Sequence, residues 1–559
     1  MAFGAILVSQ GLVTSDQLEQ VLREQTRSGE RLERAVARLG FASAEQVMRA
    51  LADELAMEFL RLDETEIDED AVRAVPPRLI HRLRAMPVRV EDGSLVVATS
   101  DPLRTDLLDP LRLAAGMPLR FVVAEDSDIG VQIKNRFGVA GDVLEALGAG
   151  DAPQPEARAE SAETEDGSEA SVVRLVNDLL GEAIAQEATD IHFEPYEQEI
   201  RVRYRIDGVM ADAPVQSGIH RWRNAIVSRL KIMANLNIAE KRRPQDGRIK
   251  FVHRSAGQKP REFELRLSVI PMLHGEGVVL RVLSKEAVLA GLDQLGMPEG
   301  IRARWLDLVS RPHGIVLVTG PTGSGKSTTL YASLKQIVTS EVKAITVEDP
   351  VEYQVPGVNQ IPVSHQVGLD FAAGLRAILR HDPDIIMIGE IRDAETANAS
   401  VQASLTGHLV LSTMHTNDSC GAATRLLDMG VEPFLVSSTV EGVLAQRLLR
   451  RVCRACATTR PPRTGELPPG YRAGADGLLA DGLGCRECRG TGMKGRIGCY
   501  ELLIVDELVR AEVMKRSSSR AIESAARAGG HLTSLQESAA DLVAARVTTV
   551  AEAVSAVKS

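Results

Sequence analysis

The stretch that decides the fold covers residues 314–332 and reads GIVLVTGPTGSGKSTTLYA. Its first part, 314–319, is a short and largely apolar run that predicts a buried strand, and a glycine-rich loop follows directly. The residues from Ser327 onward predict a helix. A GxxxxGKS pattern between a strand and a helix predicts a phosphate-binding loop, because the loop backbone can then turn its N–H groups toward phosphate oxygens.

This loop predicts an ATP site with a role for each kind of side chain. The glycines let the backbone curl, and the helix N-terminus adds partial positive charge. Lys326 is expected to reach the β- and γ-phosphates, and Ser327 is expected to hold Mg²⁺. The predicted nucleotide-binding residues are Gly320, Pro321, Thr322, Gly323, Ser324, Gly325, Lys326, Ser327 and Thr328.

Two further apolar runs lead to glutamate, and a phosphate-binding loop needs a metal-ordering acid on a neighbouring strand. The run at 385–388 leads to Glu390, at the strand end where α/β sheets bind ligands, and we predict that Glu390 contacts Mg²⁺ through water. The run at 345–347 leads to Glu348, which is placed to orient or deprotonate the attacking water. The alternative for either acid is a solvated strand end.

One histidine is a candidate sensor of the nucleotide. His415 follows the apolar run at 409–412 and precedes the polar residues 416–418. In that position it could contact the γ-phosphate, and the alternative is a structural histidine near a strand.

Four of the six cysteines form two CxxC pairs. Two such pairs suit a tetrahedral zinc site made of four thiolates, which leaves no open coordination position, so we expect a structural metal. The predicted ligands are Cys453, Cys456, Cys485 and Cys488. Cys420 and Cys499 have no partner in the sequence and are expected to be small buried residues.

The composition of the 559 residues indicates a globular protein and argues against nucleic-acid binding. The formal net charge is −11 and aromatic residues make up 3%, so neither a strong cationic surface nor base-stacking platforms are expected. No apolar run approaches the ~20 residues that span a bilayer, and no signal peptide is evident. We therefore expect a cytoplasmic protein that reaches a membrane only through a partner.

The chain is expected to contain several domains. A weak repeat predicts helical hairpins at 1–60 that act in docking, and a small α+β domain is predicted at 61–140. Residues 141–170, rich in Ala, Pro, Ser, Glu and Asp, predict a flexible acidic linker. A middle α+β domain is predicted at 171–288. The α/β domain follows at 289–559, with its zinc module at 451–497.

Four motifs in this order resemble those of the secretion ATPase superfamily. After the phosphate-binding loop come VEDPVE at 347–352, DIIMIGEIRD at 384–393 and GHLVLSTMHTND at 407–418, similar to its Asp, Walker B and His boxes. The sequences AEKRRPQDGRI at 239–249 and GTGMKGR at 490–496 resemble the branch of type II secretion ATPases and type IV pilus assembly ATPases. Retraction ATPases of pili lack the cysteine module.

This resemblance implies an α/β protein with a RecA-like core, a PAS-like α+β middle domain and a tetracysteine zinc module. It implies a homohexamer that uses ATP, Mg²⁺ and Zn²⁺. It also implies that Arg266 and Arg281 act as arginine fingers, Glu348 as the catalytic carboxylate, Glu390 as the Mg²⁺ acid and His415 as the γ-phosphate contact. The implied partners are an inner-membrane platform protein and the cytoplasmic domain of a bitopic inner-membrane protein.

The N-terminal repeat resembles a domain that binds cyclic di-GMP in some relatives through paired Arg-Leu-Gly motifs. Here the first copy reads Ala2-Phe3-Gly4, without the arginine, and the second reads Arg31-Leu32-Glu33, without the glycine. Losing a cation and a glycine weakens a phosphate site, so we expect weak or absent cyclic di-GMP binding. Docking to an inner-membrane secretion protein is the favoured role.

Three functions follow from these expectations. The leading one is a motor ATPase for type II secretion, peripherally attached to the inner membrane. Its closest alternative is the same motor serving type IV pilus assembly, since the chemistry would be identical. A third is a nucleotide-regulated scaffold or second-messenger receptor with little turnover.

Overall fold

The computed structural model describes residues 2–28, 31–103, 105–138, 165–215, 218–254, 260–284 and 291–558. The chain divides into two compact units, Met1–Ser284 and Lys285–Ser559. Most of the predicted linker, residues 141–164, lies outside the described residues. The last six residues of that predicted linker, 165–170, are described and form the start of a helix that begins at Glu165. In the described part of the chain, no helix has both the length and the apolar character needed to cross a bilayer.

The first unit opens with the predicted helical repeat. The second helix of each hairpin begins with the same capping box: Thr14 exchanges hydrogen bonds with Gln17, and Ser43 does so with Gln46. Aliphatic residues of all four helices share one small core. The helices are α1 (Ala2–Ser9), α2 (Ser15–Ser28), α3 (Leu32–Arg38) and α4 (Ala44–Glu54).

A small α+β layer follows the repeat. Its sheet has the order β1-β2-β3, with β1 and β2 antiparallel and β2 and β3 parallel. Val96 and Val97 of β2 are fully buried in its core, as the apolar run predicts. The elements are α5 (Glu69–Arg73), α6 (Pro77–Leu83), β1 (Ala85–Glu91), β2 (Ser94–Thr99), α7 (Thr105–Ala115), β3 (Leu119–Val123) and α8 (Asp126–Phe137).

The buried carboxylate of Asp126 ties the repeat to this layer. It accepts hydrogen bonds from Arg84 at 2.6 Å and Arg34 at 2.9 Å, and Arg31 lies 3.4 Å away. Arg31 also donates to Ser100. Although burial acts in the opposite direction, the Arg84 guanidinium holds the pKa of Asp126 below its usual value. The arginine of the Arg-Leu-Glu sequence is therefore already engaged by a carboxylate.

The middle domain is a six-stranded antiparallel sheet in the order β6-β5-β4-β9-β8-β7. Leu175 and Leu179 of one helix and Leu230 of another belong to the same buried cluster as Leu265 and Leu280 of the sheet. The other face of the sheet carries alternating polar residues. The elements are α9 (Glu165–Ala185), β4 (Asp190–Pro195), β5 (Ile200–Ile206), β6 (Val209–Asp212), α10 (Arg223–Met233), β7 (Gln245–His253), β8 (Arg261–Met272) and β9 (Gly275–Ser284).

The second unit is an α/β domain built on an eight-stranded sheet in the order β12-β11-β13-β14-β10-β15-β18-β19. The first six strands in this order, β12-β11-β13-β14-β10-β15, are parallel. Strands β18 and β19 add antiparallel pairs at the β15 side. Aliphatic clusters cover both faces of the sheet. Because parallel strands end at the same edge, the ends of β10, β11, β13 and β14 meet there.

The strands of this unit are β10 (Gly314–Thr319), β11 (Ala344–Glu348), β12 (Val358–Pro362), β13 (Ile385–Ile388), β14 (Leu409–Met414), β15 (Val440–Val452), β16 (Ala457–Arg460), β17 (Leu479–Gly482), β18 (Met493–Ile504) and β19 (Leu532–Thr533). Its helices are α11 (Glu299–Val309), α12 (Lys326–Ile337), α13 (Phe371–Ile378), α14 (Ala394–Leu405), α15 (Cys420–Asp428), α16 (Pro433–Thr439), α17 (Glu507–Met514), α18 (Ser519–Ala528), α19 (Leu535–Ala544) and α20 (Val550–Lys558). The predicted α/β fold class is confirmed.

Candidate nucleotide-binding site

The glycine-rich loop connects β10 to α12 at the carboxyl edge of the sheet. Gly320 has φ 147°, and a Cβ at this position would lie 2.4 Å from the carbonyl oxygen of Gln446 on β15. Only glycine permits both the backbone angle and this close approach. The loop therefore leaves β10 pressed against the neighbouring strand, which fixes where α12 can begin.

Lys326 is the first residue of α12, and its side chain folds back over the loop. Its ammonium donates hydrogen bonds to the carbonyl oxygens of Gly320 at 2.8 Å and Pro321 at 3.1 Å. Burial lowers the pKa of Lys326 to about 8, and the charge of Arg447 acts in the same direction. A phosphate group beside the ammonium would favour its charged form.

Two polar residues of β15 support the loop from behind, and the sequence analysis missed both. The amide oxygen of Gln446 accepts a hydrogen bond from Thr329 of α12 at 2.7 Å. The buried guanidinium of Arg447 donates to the carbonyl oxygen of Asn417 at 2.9 Å. Burial lowers the pKa of Arg447. A polar pair inside the apolar run of a central strand was the available signal for both residues.

Glu390 and His415 come together beyond the ends of β13 and β14. Nε2 of His415 lies 3.3 Å from one carboxylate oxygen of Glu390, and Arg392 lies 2.6 Å from the other. The side chain of Glu390 is mostly buried, with 14% of its surface exposed, so it is not a solvated strand end. The Glu390 charge also acts on the Lys326 ammonium. An acid, a lysine and a histidine therefore share one edge of the sheet, as the sequence predicts.

Glu348 ends β11 on the same edge, but its carboxylate is enclosed. Only 3% of the residue is exposed. The carboxylate accepts hydrogen bonds from the hydroxyl groups of Tyr331 and Thr346 and from the amide of Gln360. The solvated alternative is therefore wrong for Glu348. Its donors come from three separate elements, and the sequence alone gave no signal for them.

Arg266 and Arg281 lie in the first unit, directly opposite each other on β8 and β9. The cross-strand row extends to Arg248 on β7 and, on the other side, to Asp190 and Arg205. Asp190 is 3.3 Å from Arg281. Like charges placed opposite each other on a sheet are destabilising. This row therefore suits a face that meets an anion.

The four predicted cysteine ligands form one cluster, with their sulfur atoms within 4.8 Å of one another. The Sγ atoms of Cys453 and Cys485 are 3.8 Å apart, and those of Cys456 and Cys488 are 3.7 Å apart. Four thiolates bound tetrahedrally at ~2.3 Å would be separated by about 3.8 Å. The donor set therefore fits zinc.

Backbone groups already stabilise a thiolate within this cluster. The N–H groups of Cys485 and Gly492 donate to Sγ of Cys488 at 3.1 and 3.2 Å. Burial opposes their effect, but these donors lower the pKa of Cys488 to about 6. Cys420 and Cys499 are buried outside the cluster, as predicted.

The sequence and fold of this chain are similar to those of known proteins. The family described as "Type II/IV secretion system protein" matches residues 165–555. The chain belongs to this family. It is 40% identical over 536 residues to type II secretion system protein E of Xanthomonas campestris, covering 92% of this chain and 91% of the relative. It is also 40% identical over 511 residues to the type IV pilus assembly ATPase PilB of Myxococcus xanthus, covering 89% of each.

A third relative and one solved structure extend the comparison. The type II secretion system protein HxcR of Pseudomonas aeruginosa is 50% identical over 392 residues, covering 70% of this chain and 78% of the relative. The ATPase DotB of Legionella pneumophila superposes with a TM-score of 0.50 at 19% identity, covering 72% of this chain and 98% of DotB. That likeness shows the fold alone and agrees with the predicted RecA-like core. The protein is a secretion ATPase.

A second family, the MshEN domain, matches residues 55–142 of this secretion ATPase. The match covers the α+β layer and not the helical repeat, on which the resemblance to a cyclic di-GMP-binding domain was based. Weak or absent cyclic di-GMP binding therefore stays a prediction.

We expect the cysteine cluster of this secretion ATPase to hold one zinc ion per chain. Changing Cys485→Ser removes one thiolate, so elemental analysis of the purified protein should show loss of the zinc. Cys420→Ala is the matched control, since it removes a buried thiol outside the cluster and should leave the zinc content unchanged. A wild-type protein without zinc, or equal zinc in Cys485→Ser, would contradict this assignment.

Proposed function

We propose that this secretion ATPase is a homohexameric motor on the cytoplasmic side of the inner membrane. It hydrolyses ATP to power assembly of the pseudopilus in type II protein secretion. The observation that carries the proposal is the convergence of Lys326, Glu390, His415 and Glu348 at the strand ends beside the glycine-rich loop. Relatives named for type II secretion, which align with most of the chain, support the biological setting.

Each group at this edge has a role in the proposed reaction. The loop backbone and Lys326 bind the β- and γ-phosphates. Ser327, together with Glu390 through water, would hold Mg²⁺, and the ion would neutralise phosphate charge. His415 contacts the γ-phosphate. Glu348 orients the attacking water and takes its proton.

The arginine row supplies further positive charge in this proposal. Arg266 and Arg281 act as arginine fingers, which stabilise negative charge that develops on the phosphate oxygens during hydrolysis. Bound phosphate would also relieve the repulsion between these opposed guanidinium groups. Nucleotide turnover would thereby be coupled to the position of the middle domain, and this coupling would perform mechanical work on a platform protein.

The role of Glu348 is tested by Glu348→Gln, which keeps the shape of the side chain and removes its basicity. We expect steady-state turnover to fall at least about 100-fold, while ATP still binds with nearly unchanged affinity. Lys326→Ala is expected to lose both binding and turnover. Normal turnover in Glu348→Gln would refute the assigned role, and normal secretion with Lys326→Ala would favour a scaffold over a motor.

The finger assignment is tested by Arg266→Ala and Arg281→Ala. Each should lower turnover by about 1,000-fold or more and leave ATP affinity nearly unchanged, because a finger acts mainly in the transition state. Arg201→Ala is the matched control: Arg201 is an exposed arginine on the same face of the sheet, outside the row. If either variant lost ATP binding but hydrolysed bound ATP at the wild-type rate, the assignment would be contradicted.

Type IV pilus assembly is the second candidate, and the likeness to a pilus assembly ATPase over 89% of the chain favours it. Affinity purification of the full chain from native membranes should separate the two. We expect to recover the secretion platform protein and a bitopic inner-membrane protein, which would bind this chain through its cytoplasmic domain. Recovery of a pilus platform protein instead would favour the second candidate.

A further inference from the structure

The carboxylate of Glu348 has a hydrogen-bonding arrangement that the proposed reaction does not by itself explain. The Tyr331 hydroxyl donates to Oε2, while Thr346 and Gln360 donate to Oε1 at 2.5 and 3.0 Å. A carboxylate has about four acceptor positions. Donors from the described part of the chain occupy three, and the remaining one belongs to Oε2, the oxygen that Tyr331 holds.

The orientation of the Gln360 amide is fixed by its other bonds. Its oxygen accepts from the backbone N–H of Val355 at 2.8 Å, and its nitrogen also donates to the carbonyl oxygen of Tyr353 at 2.8 Å. The nitrogen therefore faces Glu348. Because Gln360 pairs with Thr346 across β12 and β11, the two donors to Oε1 share a rigid sheet position.

Tyr331 approaches from a different element. It lies on α12, the helix that begins with Lys326. Its ring packs edge-on against Tyr353, with centroids 6.2 Å apart, and its oxygen also accepts from the N–H of Glu352 at 3.4 Å. The phenol thus links the phosphate-binding helix to the oxygen of Glu348 that still has an open acceptor position.

We propose that Tyr331 is a positioning residue for ATP hydrolysis: its hydroxyl aims Oε2 of Glu348 so that the open acceptor position takes the proton of the attacking water. The proposal rests on the role assigned to Glu348 above. Toward Glu348 the phenol is the donor, since a carboxylate can only accept. Burial and the neighbouring Glu348 charge raise the pKa of Tyr331, so the hydroxyl stays protonated.

The geometry also explains why the donor comes from α12. Thr346 and Gln360 belong to the sheet and hold Oε1 whatever the loop binds. Tyr331 lies on the helix whose first turn would bind phosphate in the proposed reaction. An adjustment of that helix when ATP binds would reach Oε2 through a single hydrogen bond.

The test is Tyr331→Phe in the full chain, which removes the hydroxyl and keeps the ring. We expect kcat to fall about 10- to 100-fold, as for loss of a hydrogen bond to a charged group, while KM for ATP changes less than about twofold. The single-turnover rate with excess enzyme should fall by the same factor, because the affected step is the chemical one.

Tyr500→Phe is the matched control. Tyr500 is a buried tyrosine in the same hydrophobic cluster as Tyr331. Its hydroxyl donates to the carbonyl oxygen of Leu295 at 2.9 Å. Losing this hydrogen bond disturbs the core without touching Glu348. If Tyr331→Phe and Tyr500→Phe change kcat and KM alike, the role of Tyr331 is structural and the proposal is overturned.

A second pair of variants keeps the test decisive if Tyr331→Phe folds poorly. Site-specific incorporation of p-aminophenylalanine at position 331 retains an N–H donor, whereas p-methylphenylalanine fills the same space without one. We expect the amino variant to recover most of kcat and the methyl variant to remain slow. Equal rates for the two variants would overturn the proposal.

Failure of this proposal is distinct from failure of the proposed function. Normal turnover in Glu348→Gln would remove the role on which Tyr331 depends. Slow turnover in Glu348→Gln together with wild-type kinetics in Tyr331→Phe would refute only the positioning role and leave Glu348 in place.

Discussion

The contact between Gly320 and the backbone of Gln446 is the constraint on which the rest of the nucleotide site depends. The missing side chain lets the loop cross directly over β15, so the start of α12 is set by a backbone contact. Thr329 then bonds Gln446, and this second contact keeps the helix in that position. Lys326 and Tyr331 lie on the same helix, so this one contact sets where both the Lys326 ammonium and the Tyr331 phenol lie.

Strand β15 connects this contact to the His415 loop. Arg447 follows Gln446 directly, and its guanidinium holds the carbonyl of Asn417 just beyond His415. The side chain of Thr319, at the end of β10, accepts from the backbone N–H of Thr416 at 2.9 Å. The loop after β14 is thus attached to β15 through Arg447 and to β10 through Thr319, which keeps His415 beside Glu390. Arg447 is buried and forms no ion pair with a carboxylate among the residues that the structure describes. Such a charge is costly, and anionic phosphate nearby would offset that cost.

Sequence spacing predicted the parts of this site that are local in the chain. The loop, its strand and its helix follow one another, and Glu390 and Glu348 end apolar runs, so each was found from its neighbours alone. The partners of Glu348 were not found, because β12 pairs with β11 and brings Gln360 beside Thr346. That pairing depends on sheet order, which residue spacing does not encode. The contact between Arg31 and Asp126 was missed for the same reason, since it joins a repeat helix to the start of a distant one.

The arrangement of β15 also gives the cysteine cluster a physical connection to nucleotide binding. This strand runs from Val440 to Val452, and Cys453 follows it at once. Its antiparallel partner β18 begins at Met493, shortly after Cys488. A zinc ion bound by both CxxC pairs would close the open end of this two-stranded ribbon, as a tetrahedral metal joins segments that side-chain packing alone cannot hold. The ribbon includes Gln446 and Arg447, so the metal would stiffen the same strand against which the phosphate-binding loop is pressed. A structural metal outside the reaction would in this way act on the site through one continuous strand.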